Sequence, residues 1–300
     1  MNRKNRVGLT VAALIVAVSV MRSTAAPLGP FASMRTENEP VRIGAVAYSP
    51  SVVTVFSELK RYLSRNDFPS DFVLYSNYDA LVAALERKEI DIAWNTPLAH
   101  AQYHVQSGGT SQTLVMRDVD CNVRSVLVVR SDSGIETPKD LAGKRLVLGS
   151  RDAAEATVLP VHYLEKEKVE LGRVNIVSLD KEVDFKGNPC CSPSHVLQAV
   201  REGRGDAGII TESLWRQAAA DKSGTVQLKQ IWTSPSFSHC VFTAGRDFDA
   251  ARARRFTQLM TAMDANQPGC ADILRLEGAK RWVPGTSDGF ADLVEALRQR

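Results

Sequence analysis

Three hundred residues make room for one large domain or two of ordinary size. With 44% hydrophobic and 24% charged residues the composition is globular, which excludes wholesale disorder and collagen-like repeats. Removing residues 1–26, which hold four of the 37 basic residues (Arg3, Lys4, Arg6, Arg22) and no acid, leaves 33 basic against 34 acidic. That balance lacks the positive excess of a nucleic-acid binder.

The chain opens with MNRKNR, an apolar run VGLTVAALIVAVSVM and the small residues RSTAA. This is the layout of a cleavable signal peptide over 1–26, cut after Ala25 or Ala26. The competing reading is a membrane anchor, for which a run of about fifteen residues is short. Export would place the mature chain in the periplasm, where disulfides form. The five cysteines are Cys121, Cys190, Cys191, Cys240 and Cys270, an odd number without zinc-ribbon or CxxC spacing. The adjacent pair Cys190–Cys191 would close only a strained ring, so each would seek a distant partner or stay reduced.

Residues 27–40 carry three prolines and no periodicity, and read as a linker. VRIGAVAYS (41–49) is a strand ending in the turn signal Ser49-Pro50. Val52, Val55, Phe56, Leu59 and Leu63 then form one helical stripe. DFVLYS (71–76) is a second strand, 78–90 an amphipathic helix, and DIAWN (91–95) a third strand running into Thr96-Pro97. This order argues for parallel βαβ units.

The middle repeats the pattern. SVLVVRS (125–131) is a strand, and Thr137-Pro138 an N-cap with proline in the first helical position. KRLVLGS (144–150) leads into a helix over 153–168. A strand at 175–179, a helix around 195–203 and DAGIITE (206–212) complete a second set. Residues 231–244 read as one returning strand, followed by helices near 249–264 and 270–278, RWVPG and a last helix. The fold class is therefore α/β with two lobes. Lobe 1 takes 41–124 and 245–300, with the helical tail packed back on it, and lobe 2 takes 125–244. Ligands of such sheets sit beyond the carboxyl ends of the strands.

The runs SVLVVRSDSGIETPKDLAGKRLVLGSRDAAEATVLP, AVREGRGDAGIITESLW and RWVPGTSDGFADLVEAL together resemble the phosphonate/phosphite family of periplasmic solute-binding proteins. The resemblance covers most of 41–300. It implies the two-lobed type 2 periplasmic-binding fold, an inter-lobe ligand cleft and an ABC permease in the inner membrane as partner. It also implies that Glu212 contacts ligand. Family members place a Ser-Thr-Ser-Gly-like turn where this chain has Ala153, Ala154, Glu155 and Ala156. Two alanines and a carboxylate there remove hydroxyl donors from a helix start that would otherwise suit an oxyanion. Arg151 and that helix start keep the oxyanion reading open.

Tyr48, Trp94, Asn95 and Thr96 end first-lobe strands and would form one wall of the cleft, with Trp94 equally placed for the core. Asp118 and Asp120 lie in MRDVDCNVRS; if that segment is extended, both carboxylates face one way and suit a hard cation. The alternative is a solvated polar turn paired with Arg124. Ser192 and His195 lie in NPCCSPSH (188–195), where a serine could instead cap the following helix. His239-Cys240 is a further Cys/His site near the first crossing, and Cys121 and Cys240 would pair if the two crossing strands are adjacent.

No HExxH or Walker loop occurs; GRGDAG (203–208) spells GxGxxG but runs from a helix into a strand, and GTSDG (285–289) spells GxSxG inside the run that carries the binding-protein resemblance, so an enzyme is not indicated. Asp118, Asp120, Glu155 and Glu212 gather acid at the expected cleft, so the reading favoured is a monomeric capture protein for a small cationic or metal-linked solute. Those four residues would be the metal ligands, with a metal ion as ligand rather than as resident cofactor. Phosphonate or a related oxyanion is the alternative, as is a sensory partner of a membrane signalling protein.

Overall fold

A computed structural model describes residues 39–179, 193–220 and 227–299. The leader over 1–26, most of the 27–40 linker, and Cys190, Cys191 and Ser192 lie outside the described residues.

From Pro40 onward the chain forms one unit built on two sheets. In the first, β1 (Val41–Val46) pairs in parallel with β2 (Ser70–Tyr75) and β3 (Ile92–Asn95). Helix α1 (Ser51–Arg65) buries the stripe read from its sequence together with Tyr62. α2 (Tyr78–Glu86) starts where the Asn77 side chain accepts the Ala80 N–H at 2.8 Å, and α3 (Pro97–Gln106) starts at Thr96 with proline in its first turn. Both are side-chain caps that occupy an otherwise orphaned donor.

β4 (Gln112–Arg117) and a 3-10 turn (Asp118–Asp120) then lead into β5 (Ser125–Arg130) of the second sheet. There β6 (Arg145–Leu148) pairs in parallel with β7 (Asn175–Ser178) and β8 (Ala207–Thr211). β5 runs antiparallel between β8 and β9 (Leu228–Thr233). Helices α4 (Leu159–Lys166), α5 (Pro193–Arg201) and α6 (Glu212–Ala220) belong to this half.

The expected single strand over 231–244 is two strands. β9 ends at Thr233, and β10 (Val241–Ala244) belongs to the first sheet, inserted antiparallel between β3 and β4. Pro235, which has no N–H for a ladder, sits in the crossing segment 234–240. That segment is tied to the first crossing by Ser125 N–H to Ser234 Oγ (2.9 Å) and by the Val123–Phe237 bridge. β10 therefore lies with the first sheet although the sequence boundary at 244/245 put it in the second lobe. Both sheets are mixed rather than wholly parallel, since β5 and β10, arriving from the other half, run against their neighbours, as β11 does against β4.

The helix read over 153–168 begins as a π turn, Ala154–Val158, before α4. Pro160 cannot donate to the Ala156 carbonyl four residues back. That carbonyl accepts the Gly149 N–H instead (3.4 Å), and Val158 N–H reaches Ala153 O at 3.0 Å, a five-residue bond.

After β10 come α7 (Ala250–Thr261), α8 (Cys270–Leu276), the edge strand β11 (Trp282–Pro284) on β4, and α9 (Ala291–Arg298). α9 packs against α3 and also against α4, so the tail touches both halves rather than the first alone. Among the described residues no helix is long and apolar enough to cross a membrane.

Candidate functional site

The two crossings bring residues from distant stretches into one polar cluster. Arg117, the last residue of β4, grips Asp120 with two parallel bonds, Nε to Oδ2 at 2.5 Å and Nη2 to Oδ1 at 2.9 Å. Its Nη1 donates to the Glu277 carbonyl at 2.8 Å and lies 3.4 Å from Glu277 Oε2. The guanidinium carbon also stands 5.4 Å from the centroid of the Trp94 ring. From the second crossing, His239 sets Nδ1 3.2 Å from Asp120 Oδ1 and Nε2 3.3 Å from Glu155 Oε2. Cys240 Sγ is 3.2 Å from the same Nδ1. Tyr48 closes the chain of contacts, its hydroxyl donating to Glu277 Oε1 at 3.2 Å.

These contacts set the charges. Burial opposes an imidazolium at His239, but Cys240, Asp120 and Glu155 together hold its proton affinity well above the usual value. Burial raises Asp120 and Glu155, and the bonds from His239, joined at Asp120 by Arg117, bring both below the ordinary carboxylate range. Glu277, 4% exposed, is pushed up by burial despite Arg117 and Tyr48. Burial and Glu277 raise the Tyr48 phenol, and burial and Cys240 raise that of Tyr78, the first residue of α2. The cluster thus sets two cations, Arg117 and His239, against the carboxylates of Asp120 and Glu155, with Glu277 a third carboxyl group whose proton affinity burial raises.

That balance corrects the acidic-pocket expectation. Asp120 and Glu155 meet at His239, but Asp118 and Glu212 do not join them. The Asp118–Asp120 segment is a 3-10 turn rather than extended, so the two carboxylates part. Asp118 accepts the N–H groups of Val119 and Lys280 at the surface, each at 3.1 Å. Glu212 opens α6, ion-pairs with Arg216 one turn on at 3.0 Å, and gives its N–H to the Arg124 carbonyl at 2.8 Å. The Arg124 guanidinium donates to the Ser234 carbonyl at 3.2 Å, not to Asp118 or Asp120. Asp120 and Glu155 face His239, Glu212 faces Arg216 and Asp118 accepts backbone N–H groups, so the four acids do not form one cation site.

Trp94 is in the first core, 4% exposed, with its ring centroid 4.6 Å from Phe242 and 5.6 Å from Trp282. Asn95 beside it is 1% exposed, and neither atom of its amide has a hydrogen-bond partner. Thr96 is occupied as the α3 cap, accepting the Ala99 N–H at 3.3 Å. Arg151 is exposed before the π turn, and His195 is half-buried in the first turn of α5. Cys121 and Cys240 are free thiols, and the disulfide expected between them is not formed. Cys121 Sγ faces the Arg117 carbonyl at 3.7 Å and Cys240 Sγ faces His239, so the two side chains are engaged separately.

Two mixed sheets joined by two crossings, with the polar cluster at the crossings, define a two-lobed α/β solute-binding fold of the periplasmic type. Residues 43–290 match the family described as ABC transporter, phosphonate, periplasmic substrate-binding protein. The chain belongs to that family, whose members are the periplasmic substrate-binding components of ABC transporters. It is 24% identical over 256 residues to a probable ABC transporter phosphite binding protein, PhnD1, of Prochlorococcus marinus (strain MIT 9301), covering 81% of this chain and 83% of that one. The structure of PhnD1 from that organism in complex with methylphosphonate matches with a TM-score of 0.61 at 21% identity, over 86% of this chain and 97% of that one. XAC2383 from Xanthomonas citri, bound to chloride ion, matches with a TM-score of 0.65 at 14% identity, over 86% and 97%. The periplasmic aliphatic sulphonate binding protein SsuA from Escherichia coli matches with a TM-score of 0.50 at 15% identity, over 87% and 86%.

Proposed function

We propose that the chain is exported and serves an ABC uptake system by capturing a small oxyanion of the phosphonate class at the crossings between its lobes. The observation that carries this reading is the imidazolium of His239 held against the start of the π turn, which no side chain caps. A helix start and a cation side by side favour an anion. Glu155 itself supplies an anion there, since its carboxylate accepts its own backbone N–H and faces His239. An incoming oxyanion would have to displace the Glu155 carboxylate from His239. Relatives named as a phosphite binding protein and as a complex with methylphosphonate support the same solute class.

Thermal-shift titration tests it, with phosphite, methylphosphonate and ethanesulfonate in one arm and small amines in the other. A ligand at ~100 times its dissociation constant stabilises by about 2.7 kcal/mol, which the melting curve reads easily. A shift with an oxyanion is the expected result. A shift with amines alone would return the cationic reading.

A further inference from the structure

Away from the crossings, α4 and α9 lie side by side and bring together His162, Asp292 and Glu295, whose potential ligand atoms all fall within 4.8 Å of one another. His162 is 4% exposed, and its Nε2 is buried with no hydrogen-bond partner. That nitrogen is aimed at Glu295, 3.8 Å from Oε2, too far for a hydrogen bond. Asp292 and Glu295 are three residues apart on α9 and so share a face. The Tyr163 hydroxyl donates to Asp292 Oδ2 at 2.9 Å and fixes that carboxylate. A cation already visits the place: Lys166 Nζ lies 3.1 Å from Glu295 Oε2 and 3.7 Å from Asp292 Oδ1. Yet the lysine is half-exposed and leaves the buried imidazole nitrogen unserved.

We propose that this seam is a divalent-metal site of the zinc class, with His162 Nε2 and one oxygen each from Asp292 and Glu295 as ligands. One imidazole and two carboxylates are a borderline donor set suited to Zn²⁺, Co²⁺ or Ni²⁺ rather than to a soft thiophilic ion. Tetrahedral bonds of 2.0–2.1 Å put neighbouring ligands ~3.4 Å apart, so the 3.8 Å gap closes with a few tenths of an ångström of movement. Both carboxylates are partly exposed, which opens a path for the ion and leaves a position for water. Lys166 swings out as the metal enters, an ammonium exchanged for a cation that can also use the imidazole. Because α4 follows the second sheet's β6 while α9 also packs on α3 of the first half, the metal clamps the tail across both halves.

The purified full chain, stripped with EDTA, is titrated with Zn²⁺ by calorimetry and with Co²⁺ by absorption. One equivalent should bind. Glu295→Gln and His162→Ala should each weaken Zn²⁺ by ~tenfold or more, and Lys166→Met should tighten it several-fold. Glu295 is at the surface, so its variant reads the site even if the buried His162 variant fails to fold. The Co²⁺ spectrum should lack a thiolate-to-metal band. No metal binding, or affinity kept in Glu295→Gln and lost in Cys240→Ser, would overturn the proposal and place any ion at Asp120, His239 and Cys240.

Discussion

His239 Nε2 stands 3.3 Å from Glu155 Oε2, so the segment that recrosses between the sheets is held to the turn that opens α4. The same imidazole reaches Asp120 on the first crossing, and one side chain thereby senses three parts of the chain. If an oxyanion enters here, Glu155 competes with it. Unit charges ~4 Å apart at an effective dielectric of about 20 repel by ~4 kcal/mol. Glu155→Ala should therefore tighten methylphosphonate by about tenfold or more, and His239→Ala should weaken it. Calorimetric titration of both variants checks the pair; equal affinities across wild type and variants would remove the cluster from the binding step.

The cluster also sets a pH window for stability. His239 binds its proton more tightly when folded, so its contribution is complete below the free-imidazole value of ~6.5 and is lost as pH rises through the folded value. Asp120 and Glu155 are shifted down, so theirs is present above ~4 and lost as pH falls through their folded values. His100 behaves oppositely to His239: burial pushes it down to about 3, with His104 adding to the shift. Its contribution is complete above ~6.5 and fades as pH falls towards 3. The melting-temperature gap between wild type and His239→Gln should be widest near pH 5–6 and narrow above pH 7. For His100→Gln the gap should narrow on the acid side. Parallel curves for either variant would refute its assignment.

Arg117 neutralises Asp120 with a two-bond fork while its other nitrogen meets Glu277. Arg117→Met would leave Asp120 with His239 alone and Glu277 without its cationic partner. Removing one partner of such a pair costs about 3–5 kcal/mol. Urea unfolding of Arg117→Met should show a loss of that size, and Arg117→Met with Asp120→Asn should recover much of it. A loss below ~1 kcal/mol would mean that water reaches the pair as at a surface.

Much of the fold is legible in local patterns. The α1 stripe, the Asn77 and Thr96 starts and the β1 to β3 runs follow from residues close in sequence. The insertion of β10 is not, because it depends on where the second crossing returns, and Pro235 is the one local sign that 231–244 must break. The π turn was readable in principle from Pro160, which denies the Ala156 carbonyl its helical donor. Site residues separate in the same way. Glu155 and Asp120 are visible as charges in strand-end loops, whereas nothing local sets Arg117 apart from other basic residues. Glu277 and Tyr78 carry no motif, and only packing brings them to Arg117 and Cys240. Counting acids near the expected cleft misjudges its charge because it leaves out their partners: His239, 84 residues from Glu155, and the nearby Arg117 and Arg216.

The described cysteines give a direct chemical check. Cys121, Cys240 and Cys270 are free, so unfolding in iodoacetamide without reductant should alkylate all three, read by peptide mass. Peptides linked through Cys121 and Cys240 in protein purified without reductant would restore the pairing expected from the crossings. Cys270 should react last in the folded chain, since it is fully buried under the first core.

Gly289 marks where the tail docks on the second crossing. Its carbonyl accepts the Ser238 N–H at 2.8 Å, and a Cβ built on it would stand 2.0 Å from Ser238 Oγ and 2.9 Å from Ser238 N. The hydroxyl could rotate away, but the backbone nitrogen could not, so alanine forces the turn before α9 off the crossing. Overpacking of this kind costs roughly 1–3 kcal/mol. Gly289→Ala should lower stability by that amount. Ser238→Ala in the same chain should restore only part of it, because the backbone contact and the serine Cβ at 2.7 Å stay in the way. Since Ser238 immediately precedes His239, the displacement should also reach the cluster and weaken methylphosphonate. Calorimetry of Gly289→Ala beside its unfolding curve separates the two effects. A destabilised variant with unchanged affinity would show that the tail supports the fold but does not position His239.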